Sequence, residues 1–181
     1  MNPKIILVGG EARHGKNSTC DYLEYSLNQI NKSCLQINFG DYVKFCYAMY
    51  DKGSKETIFD RTIENRSGWQ NFGTEKVRSL DPNFWVNTVI RFVELMKEDY
   101  DYILISDMRF MEEYFTWFEY GYIPMTIHVE RLGFDNGLTE EQKNHKSENV
   151  MKDFKYHYYL KAHNLEELHK EIDKQLGDLY E

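Results

Sequence analysis

Several absences bound this sequence before any motif is read. No apolar run approaches the ~20 residues that a membrane-spanning helix needs, and the first residues run straight into a core-strand pattern without signal-peptide character. Cysteine is scarce: Cys20, Cys34 and Cys46 are odd in number, far apart and without metal-ligand spacing. They read as free thiols in a reducing compartment, and zinc is not expected. Basic charge is outweighed, with 22 Lys and Arg against 30 Asp and Glu for a net charge of -8. That balance argues against the basic face of a protein that binds DNA or RNA polymers, so any anionic partner has to be held in a local pocket. Repeats and low-complexity segments are missing too. The expectation is a cytoplasmic protein without membrane association.

What is present is a globular composition: 181 residues, 41% hydrophobic and 15% aromatic, enough for one domain with a real core. Its organising stretch runs from Ile5 to Thr19. Ile5-Ile6-Leu7-Val8 is a short apolar run bounded by glycines, the pattern of a buried parallel strand. From Lys16 to Asn31 apolar residues recur at helical spacing through Leu23, Leu27 and Ile30. Gly10 and Gly15, with four residues between them and Lys16 following, match a phosphate-binding loop between strand and helix. Backbone N–H groups and the helix N-terminus hold phosphate oxygens in such a loop, and Lys16 would reach the β- and γ-phosphates. Position 17 departs from the usual pattern, because Asn17 stands where Ser or Thr ordinarily ligates Mg²⁺, ahead of Ser18 and Thr19.

Taken in order, the rest of the chain alternates strand and helix. Cys34 to Phe39 reads as a strand, and Tyr42 to Tyr50 as a helix after the Gly40-Asp41 break. Asp51 to Ser79 is polar and weakly periodic, an insertion on the core. Asp81-Pro82 reads as a helix start, with Asp81 as cap, and the helix is apolar at Trp85, Val86, Val89, Ile90, Val93 and Met96. Tyr102 to Ser106 is a buried strand ending at Asp107, and the aromatic helix Phe110 to Tyr120 reads as core packing. Met125 to Glu130 is a fourth strand, Arg131 to Val150 a polar segment with a capping box at Thr139 and Gln142, and Tyr156 to Lys161 a last strand. Leu165, Leu168, Ile172, Leu176 and Leu179 form the stripe of a closing amphipathic helix. This alternation predicts an α/β fold with a parallel sheet of about five strands and helices on both faces.

In an open parallel sheet, ligands lie beyond the carboxyl ends of the strands, which brings the phosphate loop, Phe39-Gly40-Asp41, Asp107 and Arg131 to one crevice. Asp107 at a strand end has two readings: the acidic residue that orients Mg²⁺ and its waters, or a cap on the helix near Phe110. Phosphoryl transfer needs positive charge around developing oxyanions, and arginine holds phosphate bidentately. Arg13, Arg109 and Arg131 are all placed to supply it.

Five blocks then fall in a telling order: Phe39-Gly40-Asp41-Tyr42-Val43-Lys44, Gln70-Asn71-Phe72-Gly73-Thr74-Glu75-Lys76-Val77-Arg78, Asp81-Pro82-Asn83-Phe84-Trp85-Val86, Asp107-Met108-Arg109-Phe110 and His145-Lys146-Ser147-Glu148. The chain resembles, over nearly its whole length, the deoxynucleoside monophosphate kinases of the bacteriophage type. In that family the residue after the loop lysine is commonly Asp, so Asn17 looks similar but lacks a carboxylate. The resemblance implies a three-layer P-loop kinase fold in one domain, with a monophosphate-binding insertion at about 40–85 and a lid at about 131–150. It implies that ATP and Mg²⁺ are the cofactors and a deoxynucleoside 5′-monophosphate (dNMP) the partner, in a host cytoplasm if the chain is of phage origin.

Carried over residue by residue, Gly10, Arg13, Gly15, Lys16, Asn17, Ser18 and Thr19 serve the ATP phosphates. Asp41, Lys44, Arg66, Gln70, Gly73, Thr74, Arg78 and Trp85 shape the monophosphate pocket, and Trp85 is an aromatic able to close off the space of a 2′-hydroxyl. Asp107 and Arg109 sit between the two nucleotides, Arg131 opens the lid, and His145 is either a lid contact or a substrate contact. Lys16, Arg13, Asp107 and Arg131 are the catalytic candidates. Ser18 and Asp107 are the metal candidates, Asp107 through water. Family members are often dimers, and an aromatic-rich surface permits a homodimer. Other phosphate-loop kinases, of the dephospho-CoA or phosphomevalonate type, stand as rivals, as does a non-catalytic nucleotide-binding module. A guanine-reading Asn-Lys-x-Asp motif is absent, since Asn31-Lys32 continues to Ser33-Cys34.

Overall fold

The computed structural model describes residues 2–51, 60, 62–146 and 150–179. Parts of the expected insertion (52–59 and 61) and of the expected lid (147–149, with Ser147 and Glu148) lie outside the described residues. Five strands, β1 (Lys4–Gly9), β2 (Cys34–Gln36), β3 (Tyr102–Met108), β4 (Met125–Arg131) and β5 (Tyr158–Ala162), form one sheet in the order β2-β3-β1-β4-β5. Every neighbouring pair is parallel, as strands joined through helices require.

The strand β1 lies at the centre because both its faces are apolar. Successive side chains point to opposite faces of a strand, so Ile5 and Leu7 enter one core with Ile103 and Ile105 of β3. Over them lie Val86, Val89, Ile90 and Val93 of helix α4 (Phe84–Met96) and Trp117 of α5 (Glu112–Glu119). Ile6 and Val8 enter the other core with Leu104, Ile127, Val129 and Leu160. That side is covered by Leu23 and Leu27 of α1 (Lys16–Gln29) and by Leu168, Ile172 and Leu176 of the closing helix α7 (Leu165–Leu176). The result is a three-layer α/β fold. Among the described residues no helix is long and apolar enough to cross a membrane.

The remaining helices are α2 (Phe39–Tyr50), α3 (Ile63–Gln70) with a π-helical continuation (Asn71–Arg78), and α6 (Glu140–Asn144). Several boundaries differ from those the sequence predicts. Helix α2 starts at Phe39, so Gly40-Asp41 is its first turn and not a break. The Asp107 carboxylate accepts hydrogen bonds from Phe39 N (3.1 Å) and Gly40 N (2.7 Å), satisfying amides that a helix start otherwise leaves open. Helix α4 starts at Phe84, because Asp81 Oδ1 accepts from Asn83 N (3.0 Å) and its carbonyl from Phe84 N (3.2 Å), closing a turn ahead of the helix. Strand β5 starts at Tyr158, since the Tyr156 amide is turned to the Tyr159 hydroxyl (3.0 Å). The Thr139–Gln142 capping box is present at α6.

The two-faced core gives a direct stability contrast. Leu23 is fully buried and Leu165 is 57% exposed. Leu23→Ala should therefore lower the unfolding free energy by about 2–5 kcal/mol, whereas Leu165→Ala should stay within about 0.5 kcal/mol, as read by urea denaturation. Equal losses would contradict the placement of the α7 stripe.

Candidate functional site

The loop between β1 and α1 folds as its glycines dictate. Gly10 and Gly15 have φ of 129° and 99°, and Arg13 between them has φ of 67°, all in the left-handed region where glycine is favoured. At Gly10 a side chain would run into the Val129 carbonyl of β4, so only glycine lets the loop lie this close to the sheet. No carboxylate occupies the first turn of α1, leaving its amides to meet an anion. Lys16, only 7% exposed, folds its ammonium back onto the loop and donates to the carbonyls of Gly10 (2.9 Å) and Glu11 (2.5 Å).

A cavity of about 260 Å³ opens beside this loop. One wall is the loop itself, with Arg13, Lys16 and Asn17. The end of β3 forms the floor with Ser106, Asp107 and Arg109. The opposite wall is the insertion: Lys44 from α2, Arg66, Trp69 and Gln70 from α3, and Gly73 and Thr74 from the π-helix. A π-helix is rare and commonly sits at a functional site. Here it lets Gly73 pack on Val43, where a Cβ would come within 2.9 Å of the Val43 side chain.

Two carboxylates, half-buried Asp107 and buried Glu113, hold the cavity in shape. Asp107 bonds the α2 amides, and burial raises its carboxyl above the usual range, while those amides and the nearby Arg109 charge pull it back. Glu113, 2% exposed, accepts from Arg109 N (2.6 Å) and Phe110 N (3.0 Å) and pairs with the Arg78 guanidinium. Arg78 also lies over the Phe110 ring at 4.0 Å. Burial pushes the Glu113 carboxyl up to about 7, against the pull of Arg78.

Across the phosphate loop lies a second cavity of about 620 Å³, lined by Arg13, His14, Gly15, Ser18, Glu130 and Arg131 and reaching Asn164 and Leu165 of α7. The segment after β4 is tied down over the loop. Arg13 donates to the Asn136 carbonyl (2.9 Å), Asn136 Nδ2 donates to Glu11 (3.2 Å), and the Arg131 amide donates to His14 Nδ1 (3.1 Å). Arg131 lies over the Phe134 ring at 4.2 Å. Burial lowers the His14 imidazole below its ordinary value.

The structure therefore brings Arg13, Lys16, Asn17, Lys44, Arg66, Gln70, Gly73, Thr74, Arg78, Asp107 and Arg109 to one cavity. Other expectations are corrected. Trp85 is 1% exposed and lies under the pocket, where its indole N–H holds the Gly73 carbonyl (3.0 Å). Thr19 is fully buried and donates back to the Gly15 carbonyl (3.0 Å), so it faces no ligand. Ser18 and Arg131 line the second cavity, so Ser18 and Asp107 do not face a common site. Asp41 lies outside both cavities and pairs with Lys44 (2.8 Å). Asp107 caps a helix, but α2 instead of the helix near Phe110, which Glu113 serves from within. His145 Nε2 lies 3.9 Å from Glu75, at the π-helix and away from both cavities.

Sequence reasoning missed Glu113, Trp69, Ser106, Glu11 and Asn136. For Glu113 a signal existed, an acid in the first turn of a helix just after Asp-x-Arg. For Asn136 there was none.

Neither a family model nor a curated protein sequence matches the chain. Solved structures do match in shape. The APS kinase CysC of Mycobacterium tuberculosis, in complex with AMPPNP and APS, superposes with a TM-score of 0.55 at 11% identity, over 97% of this chain and 98% of that one. TT1252 from Thermus thermophilus superposes with a TM-score of 0.51 at 14% identity, over 99% and 98%. The chain thus has the P-loop kinase fold, a likeness of architecture alone at these identities.

Glu113 gives the site a pH signature. Its carboxyl keeps a proton up to about 7 in the fold but only to its ordinary 4.5 when unfolded. The folded state therefore binds more protons in between, and this contribution to stability is lost as pH rises through that window. Glu113→Gln removes the titration. The unfolding free energy of the wild type minus that of the variant should fall from pH 4.5 to about 7 and level off above, in urea melts across pH. A difference that is flat through the window would overturn the assignment.

Proposed function

We propose that the protein is a deoxynucleoside 5′-monophosphate kinase, moving the γ-phosphate of ATP to a dNMP to give the diphosphate and ADP. The observation that carries this reading is the single cavity in which the phosphate-loop lysine faces an insertion wall bearing Arg66, Gln70 and Thr74. A donor phosphate on one wall and an acceptor phosphate on the other meet there over Arg109 and Asp107. Three of the five blocks that resemble the phage kinases, those at 39–44, 70–78 and 107–110, contribute to this lining. The neighbour of the same fold binds AMPPNP and APS, which supports a nucleotide in the phosphate loop.

The acceptor explains why cations and not a base surround the cavity. A phosphate monoester has its second pKa near 6 and is mostly a dianion at neutral pH, so the attacking oxygen is already deprotonated. What the reaction requires is alignment and neutralisation of like charges. In this reading Arg66 and Lys44 hold the acceptor phosphate, and Lys16 turns from the Gly10 and Glu11 carbonyls to the donor phosphates. Arg109 sits between the two. Breaking the bond between the γ-phosphorus and the β-bridging oxygen and forming the bond to the acceptor oxygen then needs no proton transfer. Ser18 and Arg131 meet ATP from the second cavity, and the strap from Arg131 to Asn144 closes as the lid that keeps water out.

The donor set at the loop suits Mg²⁺, which prefers oxygen ligands and keeps several waters. Asn17 Oδ1, Ser106 Oγ and Asp107 are such donors, and both Asp107 oxygens keep a lone pair beside the amides they accept. When bound with ATP, the ion neutralises the donor phosphates. Asn17 is oriented for this by its contact with Ser106 Oγ (3.2 Å).

An ADP-release assay with ATP and Mg²⁺ against the four dNMPs, their ribonucleotide counterparts, dephospho-CoA and phosphomevalonate tests the proposal. Turnover is expected with one or more dNMPs. Lys16→Ala should lower kcat by about 10²–10³-fold, the scale for losing one charge-stabilising donor, and Arg66→Ala should raise the acceptor KM. Turnover only with dephospho-CoA or phosphomevalonate, or full activity in Lys16→Ala, would overturn it.

A further inference from the structure

Of the three tryptophans, two are accounted for by packing. Trp85 contacts Phe72 and Phe84, and Trp117 contacts Tyr122, both fully buried. Trp69 differs on every count. It lines the cavity, stacks on no other ring among the described residues and belongs to neither core. Its indole Nε1 is buried without a hydrogen-bond partner among the described residues. Over its ring lies the Lys44 ammonium, 5.6 Å from the ring centre. Lys44 is itself held to Asp41 across one helical turn. Two other rings line the cavity, but Phe39 is 2% exposed and Phe110 is 6% exposed with the Arg78 guanidinium over its face. Trp69 thus offers the more open aromatic face in a pocket whose charged lining is mostly cationic.

That face has no work to do for a phosphate, which the cations already suit. It fits a flat, aromatic ligand part attached to the phosphate. Resting on the kinase reading above, we propose that Trp69 is the stacking platform for the nucleobase of the acceptor, and that the Lys44 ammonium leaves the indole for the acceptor phosphate as the base arrives. Relative strengths favour this exchange. A base stacked on an aromatic side chain is worth a factor of about 5 to 150 in binding, whereas an ammonium over an indole is worth about 2 to 5 when exposed and about 30 when desolvated. The Lys44 side chain, 25% exposed, lies between these limits. The displaced ammonium gains a phosphate dianion in return. Gln70, the next residue and also in the lining, lies where an amide can meet the edge of the stacked base. Stacking accepts any base, because each has a π-face. The choice among bases then falls to Gln70 and the cavity's shape, while acceptors without a ring are disfavoured.

The exposure pattern supplies the assay. With Trp85 and Trp117 fully buried, a change in tryptophan emission on ligand addition reports Trp69. Titration of the ATP-free protein with dNMPs should quench emission, and deoxyribose 5-phosphate should not. Trp69→Leu should abolish the quench and raise the acceptor KM about 5 to 150-fold with little change in kcat. Trp69→Phe, which keeps an aromatic face, should restore most of that loss. The remaining emission of Trp85 and Trp117 checks that both variants are folded. If the wild type phosphorylates dNMPs and Trp69→Leu has an unchanged KM, or if quenching survives in the variant, stacking is overturned and the kinase reading stands. If the wild type turns over no dNMP, the kinase reading fails and takes this inference with it.

Discussion

The site depends on one carboxylate. Asp107 leaves the end of β3 next to the central strand and accepts the first two amides of α2, 68 and 67 residues away in sequence. Two backbone donors on one half-buried carboxylate fix the direction in which α2 leaves the sheet, since charge-assisted bonds to two successive amides hold the helix start in one orientation. Gly40 is required for the approach, because a Cβ there would sit 2.9 Å from Asp107 Oδ2. Everything on the insertion wall follows from that direction. Lys44 is one turn further along α2, Val43 receives Gly73, and the π-helix carries Thr74 to the lining.

Glu113 does for the floor what Asp107 does for the wall. It gathers the amides of Arg109 and Phe110 and the Arg78 guanidinium on one buried carboxyl, so the end of the π-helix and the start of α5 are joined. Breaking a buried pair by removing one partner costs about 3–5 kcal/mol, because the other charge is left uncompensated. These two acids also explain how an acidic chain makes a cationic pocket. The lining has Arg13, Lys16, Lys44, Arg66, Arg78 and Arg109 against only Asp107 and Glu113, while the whole chain carries a net charge of -8. Asp107 is engaged by backbone amides, and Glu113 by backbone amides and by Arg78, so the field in the cavity is set by the cations.

What the sequence made legible was local or periodic. Ile5 to Val8, the glycines of the loop, the α4 stripe and the Thr139–Gln142 box each follow from spacing within one turn or one strand, and each is found where spacing puts it. What it hid was set by partners far along the chain. Nothing near Phe39 says that a carboxylate at 107 will start a helix there. The π-helix is equally invisible, because its extra residue per turn answers to Val43 behind Gly73 and to the Trp85 indole on the Gly73 carbonyl. The tryptophans show the limit most clearly. Trp85 opens an apolar stripe at 85, 86, 89, 90 and 93, and a stripe of that kind means core. Trp69 sits among polar neighbours, where an aromatic has no stripe to join and is left facing a cavity.

The phosphate loop is a partition as well as a binding element. Arg13 lines the cavities on both its sides, with its guanidinium on the Asn136 carbonyl of the strap after β4. Lys16 donates to two carbonyls of the same loop. Each of these contacts is to a neutral oxygen, and a charged phosphate oxygen is a stronger acceptor than a carbonyl. An anion arriving on the loop competes for both at once. Taking Lys16 frees two loop carbonyls, and taking Arg13 frees the strap at Asn136, which Glu11 still holds through its side chain. In the proposed reaction, occupancy of the loop and position of the strap would in this way be one equilibrium, biased by whatever differs in affinity between the two states. The contacts that tie the loop to the strap come from Glu11, Arg13 and His14, three of the four residues between the two loop glycines.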